Sequence, residues 1–302
     1  IYTSCFATNR AELAARQAAN ATFGDQAAGA ETVLGLDGEG WLWAPQRPRA
    51  PFVAFCEAVL AEVVPFEQGE TAEVLRQQAA WEGAAALAAD AVVARSEFAA
   101  GRVVQHYGID RRHIVVLPIP FDIPTWQAAL PKLPREPLVL GVGHLYPRKN
   151  YGALLSAWPA VARACPEARL AIVGTGPAQL QAGMPGVRLL GHVSFAELQS
   201  LYARASVFCH PSLQENFGIS VVEGLASGAG VVTHHQAAVL ESTNGLPGTW
   251  AVDASEPAEL AEALIAALQS PRAWPDSRLA GLRRRLDPVR VGRQLRLLID
   301  AL

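Results

Sequence analysis

Lysine is almost missing from this sequence: Lys132 and Lys149 are the only two among 25 basic residues, so nearly all positive charge is arginine. Charged residues make up only 18% of the 302, and the formal net charge is −3. That excludes the broadly basic surface on which nucleic-acid binding depends. The four cysteines, Cys5, Cys56, Cys165 and Cys209, include no Cys-x-x-Cys pair, the spacing a zinc or dithiol site requires. They read as reduced core residues of a cytoplasmic protein. No apolar run reaches the roughly 20 residues of a membrane span, because the alanine-rich stretch 79–94 is broken by Glu82 and Asp90. The chain opens at Ile1 without the charged-then-apolar pattern of a signal peptide, and a start upstream of Ile1 is expected. What is abundant is apolar: hydrophobic residues make up 51%. That is ample for two separate cores, and the length suits two domains of about 100 to 200 residues each.

From Pro137 onward short apolar runs, at 138–142, 170–173, 187–190, 207–209 and 230–232, alternate with amphipathic segments. This alternation predicts βα units around a parallel, doubly wound sheet. Ser194 opens one helix as a capping box with Glu197, and Leu198, Leu201, Tyr202 and Ala205 line one face. Asn150 caps another that carries Leu154, Leu155, Trp158 and Val161, with a kink expected at Pro159. The first part is less regular, with strands expected at 32–36, 52–55, 91–94 and 113–117 and helices at 10–21, 72–88 and 96–107. Six prolines, at 118, 120, 124, 131, 134 and 137, exclude a helix there and suit a stiff connection. The domains are therefore expected at 1–130 and 131–286. A final helix, 287–302, has Val291, Leu295, Leu298 and Leu302 in line and Arg290, Arg293 and Arg296 on other faces.

The segment from His210 to Gly228 carries the most chemistry. A strand ends at Cys209 or His210, a loop follows, and a helix starts near Gly218 and stops at Gly228. That helix aims its first amides at the carboxyl edge of the sheet, where an anion such as a diphosphate can be held. Glu215 lies in the loop at that mouth and Glu223 lies inside the helix. On spacing alone, a solvated loop glutamate and a surface helix glutamate fit equally well.

The same segment resembles the Glu-x7-Glu motif of retaining GT-B glycosyltransferases of family 4, the glycosyl transferases group 1. Gly141-Val-Gly143-His144-Leu-Tyr-Pro-Arg148-Lys149-Asn150, Ile172-Val-Gly174-Thr-Gly176-Pro177 and Val187-Arg-Leu-Leu-Gly191-His192-Val193-Ser194 match further pieces in the family's order. The resemblance implies an α/β chain of two Rossmann-like doubly wound domains facing across a cleft, the N-terminal one shortened. It implies transfer of a sugar from a UDP-, GDP- or ADP-sugar to an acceptor hydroxyl with retention, without metal or cofactor. Lys149 would hold the diphosphate with Arg148 beside it, and the leaving phosphate would accept the acceptor's proton. Gly143 and Gly174 would allow close backbone approach, and Gly191, His192 and Val193 would lie against the nucleobase. Glu223 would accept from the ribose hydroxyls, and Glu215 with the amides of Asn216, Phe217, Gly218 and Ile219 would meet sugar and phosphate.

Departures from the family pattern are specific. His144 stands where the family has arginine, Gln236-Ala237-Ala238 replaces a Gly-Gly turn, and Cys56-Glu57 stands where a histidine is usual. No Gly-rich loop precedes residue 30. The first domain is thus expected to lack roughly one or two βα units, and the chain alone to bind donor but transfer slowly. Asp37-Gly-Glu39 is outweighed as a metal motif, and His234-His235 is a poor pair for one metal. A weakly active nucleotide-sugar-binding partner subunit and a sugar-nucleotide epimerase are the alternative functions. The acceptor, whether saccharide, lipid or small molecule, is left open. Arg283, Arg284 and Arg285 leave open a peripheral contact with anionic lipid at the inner membrane face, and a homo-oligomer is equally open.

Overall fold

The computed structural model describes residues 7–21, 31–35, 50–176, 183–270 and 274–302. The chain divides into two compact units, Ile1–Ile119 with Pro288–Leu302, and Pro120–Asp287. Cys5, Leu36, Asp37, Glu39 and Pro177 lie outside the described residues. No helix among the described residues is long and apolar enough to cross a membrane.

In the first unit, strands Val33–Gly35 (β1), Phe52–Cys56 (β2), Ala91–Ala94 (β3) and Ile114–Val116 (β4) pair in parallel in the order β1-β2-β3-β4. Helices Arg10–Ala21 (α1), Leu60–Val63 (α2), Gly69–Ala88 (α3) and Glu97–Tyr107 (α4) accompany them. Every residue of β2 and β3 is buried, which is why these strands read as continuous apolar runs rather than alternating ones. On one face Cys56, Val92 and Ala94 pack with Ala99, Ala100 and Val103 of α4. The other face, Val53, Phe55, Val93 and Leu117, meets Leu295 and Leu298 of the last helix, Pro288–Asp300. Leu302, expected in the same apolar line, lies past the helix end and is 44% exposed.

The second unit begins with a helix where the prolines had predicted none, Ile123–Ala129 (α5). Asp122 Oδ1 accepts from the Thr125 amide at 3.0 Å, and Pro124 occupies the first turn, where a missing N–H loses no helical bond. The α5 residue Trp126 donates to Ser227 Oγ at 3.1 Å, so the unit boundary falls ahead of this helix instead of at residue 130. There follow Glu136–Val142 (β5), Tyr151–Ala164 (α6), Arg169–Val173 (β6), Val187–Gly191 (β7), Phe195–Arg204 (α7) and Ala205–His210 (β8). After these come Ile219–Ala226 (α8), Gly230–His234 (β9), Ala237–Thr243 (α9), Thr249–Val252 (β10), Pro257–Gln269 (α10) and Ala280–Leu286 (α11).

The second sheet is parallel throughout, in the order β10-β9-β8-β5-β6-β7. Its core joins Val139, Leu170, Ile172 and Val207 to Leu154, Trp158 and Val161 of α6 and to Leu260 and Leu264 of α10. Helix α6 continues through Pro159, carried by the buried Trp158 and Val161 on either side. Ala205, expected on the apolar face of α7, is the first residue of β8. Strand order reverses between β5 and β8, because the chain runs outward from β5 to β6 and β7 and returns to the other side of β5 with β8. In such sheets the crevice at the carboxyl ends of the two strands flanking the reversal is where ligands bind. Topology therefore singles out the loops after β5 and β8.

Candidate active site

Three loops meet at this carboxyl edge. The Gly143 amide donates to Val173 O at 3.0 Å, the Leu145 amide to Thr175 O at 3.0 Å, and the Gly174 amide to Gly191 O at 2.9 Å. A Cβ on Gly174 would stand 1.8 Å from the Gly143 carbonyl oxygen. The close approach that Gly174 permits is thus first of all to its neighbouring loop. His144 donates from Nδ1 to Thr175 O at 3.2 Å, which turns that ring toward the β6 loop. After β7, His192 is exposed and Val193 half-buried.

The charged residues come from the two loops that the strand reversal brings together. Pro147–Lys149 forms a single tight turn, and Asn150 closes it with φ 56°, a left-handed conformation that asparagine tolerates well. Asn150 does not cap α6 with its side chain; its Nδ2 donates to Ala254 O at 2.7 Å instead. This folds Arg148 and Lys149 back over the sheet. Lys149 Nζ donates to Glu215 Oε1, His210 Nε2 lies 2.9 Å from the same oxygen, and Arg148 Nη1 lies 3.8 Å from it. Arg148 Nη1 also donates to Gln214 O at 3.1 Å, and the Leu213 amide donates to Arg148 O at 2.8 Å. Gln236 Nε2, from beyond β9, donates to Glu215 O at 2.9 Å. The three side chains all converge on Oε1 of Glu215, and Oε2 accepts no hydrogen bond from the described residues.

Burial by itself would raise the Glu215 carboxyl, whose side chain is only 12% exposed, yet Lys149, the hydrogen bond from His210 and Arg148 hold it well below its ordinary value. Burial lowers His210, and the pull of Glu215 the other way does not overcome it. His210 is accordingly neutral at pH 7. Its Nε2–H donates to Glu215, and its Nδ1 accepts from the Ser220 hydroxyl at 3.3 Å. This tautomer is assigned from the partners. Arg148, Lys149 and Glu215 leave one net positive charge, beside the first amides of α8, which geometry leaves unpaired within the helix. Gly218 caps that helix with φ 79°, while Asn216 and Phe217 are buried behind it and Ile219 is half-buried. The arrangement sets a net positive charge and the first amides of a helix beside a carboxylate that is ionised at neutral pH.

Glu223 does not join the cluster on Glu215. It is 2% exposed, and the Tyr202 hydroxyl donates to its Oε2 at 2.8 Å. Tyr202 in turn stacks on Phe208 at 5.6 Å and meets Trp126 edge-on at 5.4 Å. The sequence placed Glu223 by its helix but had no means of finding its aromatic partner. His210, Ser220 and Gln236 were likewise missed as members of the site. For His210 there was a signal, a polar residue ending a buried strand at the carboxyl edge.

Of the remaining candidates, His234 ends β9 and accepts from the Ala254 amide at Nδ1, 3.1 Å away. Ligand atoms of His234, His235 and Asp253 lie within 4.8 Å of one another, a grouping that the adjacent histidines alone did not foretell. Asp253 Oδ1 already accepts from the amide and the hydroxyl of Ser255, at 2.9 and 2.5 Å. In the first unit Cys56 is buried, and its thiol is pushed up by burial and then by Glu82 and Glu57. Glu57 pairs with Arg95, whose Nε lies 2.6 Å from Oε2.

A pH dependence follows from the two depressed groups. Between the folded value of His210 and its ordinary 6.5 the unfolded chain binds more protons, so stability falls as pH drops below 6.5. Glu215 adds a second loss as pH drops below its ordinary 4.5. Melting temperature followed from pH 8 to 4 should fall in that order. His210→Gln should flatten the first stage and leave the second.

Residues 136–270 match the family of glycosyl transferases group 1. That region holds Arg148, Lys149, His210, Glu215 and Glu223. Among curated relatives, the chain is 30% identical over 253 residues to a D-inositol 3-phosphate glycosyltransferase of Segniliparus rotundus, a match covering 75% of this chain and 56% of that protein. It is 40% identical over 92 residues to a phosphatidyl-myo-inositol mannosyltransferase of Mycobacterium tuberculosis, covering 28% of this chain and 24% of the relative. The chain therefore spans about half the length of the first of these relatives, 56%, and less of the second. Among solved structures, Anabaena HepE in complex with UDP and glucose superposes with TM-score 0.74 at 19% identity, covering 93% of this chain and 81% of that one. Sucrose-phosphate synthase from Thermosynechococcus elongatus gives TM-score 0.71 at 20% identity, with 96% and 78% covered. At such identities the likeness concerns the fold, which is α/β with two Rossmann-like units of the GT-B class.

Proposed function

We propose that this chain is a retaining, metal-independent glycosyltransferase that binds the diphosphate of a nucleotide sugar between the turn after β5 and the loop after β8. The observation that carries this reading is the convergence of Lys149, Arg148 and a neutral His210 on Glu215, at the strand reversal and beside the first amides of α8. A diphosphate offers Lys149 a stronger anionic partner than a single carboxylate. Lys149 and Arg148 then supply the positive charge that a metal ion would otherwise bring. The loops at Gly143 and at Gly191, His192 and Val193 take the nucleoside side, and Glu223 takes the ribose hydroxyls. The amides from Asn216 to Ile219 face phosphate and sugar, and Glu215 meets the sugar through Oε2. The names of the relatives and structural neighbours, which include a complex with UDP and glucose, support a nucleotide-sugar donor.

In the transfer step the bond from the anomeric carbon to the phosphate oxygen breaks, and the bond to the acceptor oxygen forms on the same face. The acceptor's proton passes to the departing phosphate, whose charge Lys149 and the α8 amides stabilise. The test is a panel of UDP-, GDP- and ADP-sugars with simple acceptors, with product configuration read by proton NMR. An α-linked donor should yield an α-linked product, and a β-linked product contradicts retention. Requirement for added divalent metal contradicts the electrostatic assignment.

Glu223→Gln offers a separate check on the ribose assignment. The substitution keeps an acceptor for Tyr202 and nearly the same volume, so stability should change little. Affinity for the nucleoside diphosphate should fall by about 1 to 3 kcal/mol, the scale of a charge-assisted hydrogen bond. Unchanged affinity in calorimetry would confine Glu223 to its bond with Tyr202.

A further inference from the structure

His210 closes β8 in register with Thr233 of β9, and its side chain is 1% exposed. Its ring lies nearly parallel to that of Phe208, with 13° between the planes and 6.3 Å between centroids. The Ser220 hydroxyl, from the second residue of α8, donates to Nδ1 at 3.3 Å, which leaves the ring proton on Nε2, 2.9 Å from Glu215 Oε1. Strand, stacking partner and helix therefore hold this imidazole in one place and one tautomer. Lys149 meets the same oxygen from a flexible four-carbon stem, and Arg148 stands 3.8 Å off, so neither fixes it as narrowly. Gln236 Nε2 fastens the main chain of Glu215 by donating to its carbonyl at 2.9 Å. Among the described residues every donor to this carboxylate comes to Oε1, whereas Oε2 accepts none and is not sealed from solvent.

A carboxylate anchored through one oxygen presents the other as an acceptor at a fixed point. A diphosphate has no use for such an acceptor, because at neutral pH it is largely deprotonated and like charges repel. A hydroxyl does, and the group that carries hydroxyls next to the diphosphate of a nucleotide sugar is the sugar. We propose that His210 is a positioning residue for the donor sugar, aiming Glu215 Oε2 at a sugar hydroxyl through its own bond to Oε1. The inference deepens the nucleotide-sugar reading above and rests on it. Lys149 has three N–H donors, so it can stay on Oε1 while it meets phosphate, and the carboxylate keeps its anchor through binding. Recognition is then divided within one cluster: the cations and helix amides take the diphosphate, and the carboxylate held by His210 takes what is attached to it.

The test is calorimetric titration of wild type, His210→Leu, His210→Phe and His210→Gln with UDP, GDP and ADP and with UDP-glucose, GDP-mannose and ADP-glucose. The rise in melting temperature at high ligand concentration serves where binding is weak. Leucine and phenylalanine remove the N–H donor in two shapes, the second keeping a ring against Phe208, and whichever of them folds decides; glutamine replaces the donor with an amide N–H. The variants without a donor should bind the nucleotide sugar about tenfold more weakly, as expected for one misplaced hydrogen bond to a charged group, and the bare diphosphate within about twofold of wild type. His210→Gln should recover most of that loss. In a Glu215→Ala background the loss of the donor should change nucleotide-sugar affinity by less than about twofold, because the two residues act as one unit. Unchanged nucleotide-sugar affinity overturns the proposal, and so does an equal loss for both kinds of ligand, which marks His210 as a support of the loop. A tenfold loss that persists with Glu215→Ala, or a glutamine variant as weak as the other two, overturns it as well. A wild-type chain that binds none of the three nucleotide sugars overturns the reading on which the inference rests, and the inference with it.

Discussion

Lys149→Ala should weaken binding of a nucleoside diphosphate by about 2 to 3 kcal/mol, roughly 30- to 150-fold, while binding of the parent nucleoside hardly changes. The side chain is 13% exposed and makes its contact with Glu215 in a place where water screens poorly. A charge-assisted bond there is worth more than at an open surface. Only the diphosphate presents the charge that this ammonium meets, so the two ligands separate electrostatic from shape recognition. The substitution also leaves Glu215 with His210 and Arg148 as its remaining partners. Its carboxyl should then titrate at higher pH, and the loss of stability below its ordinary 4.5 should be smaller in the variant than in wild type. Equal loss of affinity for nucleoside and diphosphate in calorimetry would mean that Lys149 shapes the loop rather than meeting phosphate.

Gly174→Ala should be the most damaging single methyl addition in the second unit. The new carbon would stand 1.8 Å from the Gly143 carbonyl oxygen, backbone against backbone, and the glycine's φ of 149° is itself unfavourable for other residues. Relief requires one loop to move, which breaks the bonds from the Gly143 and Gly174 amides that join the β5, β6 and β7 loops. A loss of about 2 to 4 kcal/mol in denaturant unfolding is expected, the range for strain combined with broken buried hydrogen bonds. Gly152→Ala is the matched control. Gly152 lies in α6 with open space around it, and alanine there should stabilise by up to about 1 kcal/mol. If both substitutions were equally mild, the knitted loops would not be what shapes the site.

The sequence was most legible where a residue's neighbours in space follow from its own element. Strands β5, β6, β8 and β9 of the second unit read as apolar runs because most of their residues are buried, and that signal survives without a structure. Strand β10 has no such run: Thr249, Trp250 and Val252 are only partly buried at the sheet edge, so their pattern is weak. Helix α5 is masked in the sequence by its surrounding prolines, although Pro124 in a first turn is no obstacle. Lys149 and Glu215 could be singled out by motif, but their contact spans 66 residues and exists only because strand order reverses between β5 and β8. The pairing of Glu223 with Tyr202, and the unpaired hydroxyl of Tyr151 under Gly143, depend on packing angles between helix and sheet that no spacing rule encodes.

The most direct measurement is calorimetric titration of the chain with UDP, GDP and ADP alongside uridine, guanosine and adenosine, repeated at two salt concentrations. A site built from Lys149, Arg148 and the first amides of α8 should bind at least one diphosphate about 100-fold more tightly than its nucleoside, with affinity falling as salt rises because the gain is electrostatic. If no diphosphate binds below about 1 mM, or if nucleoside and diphosphate bind alike and without salt dependence, the carboxyl edge of the second sheet is not a diphosphate site.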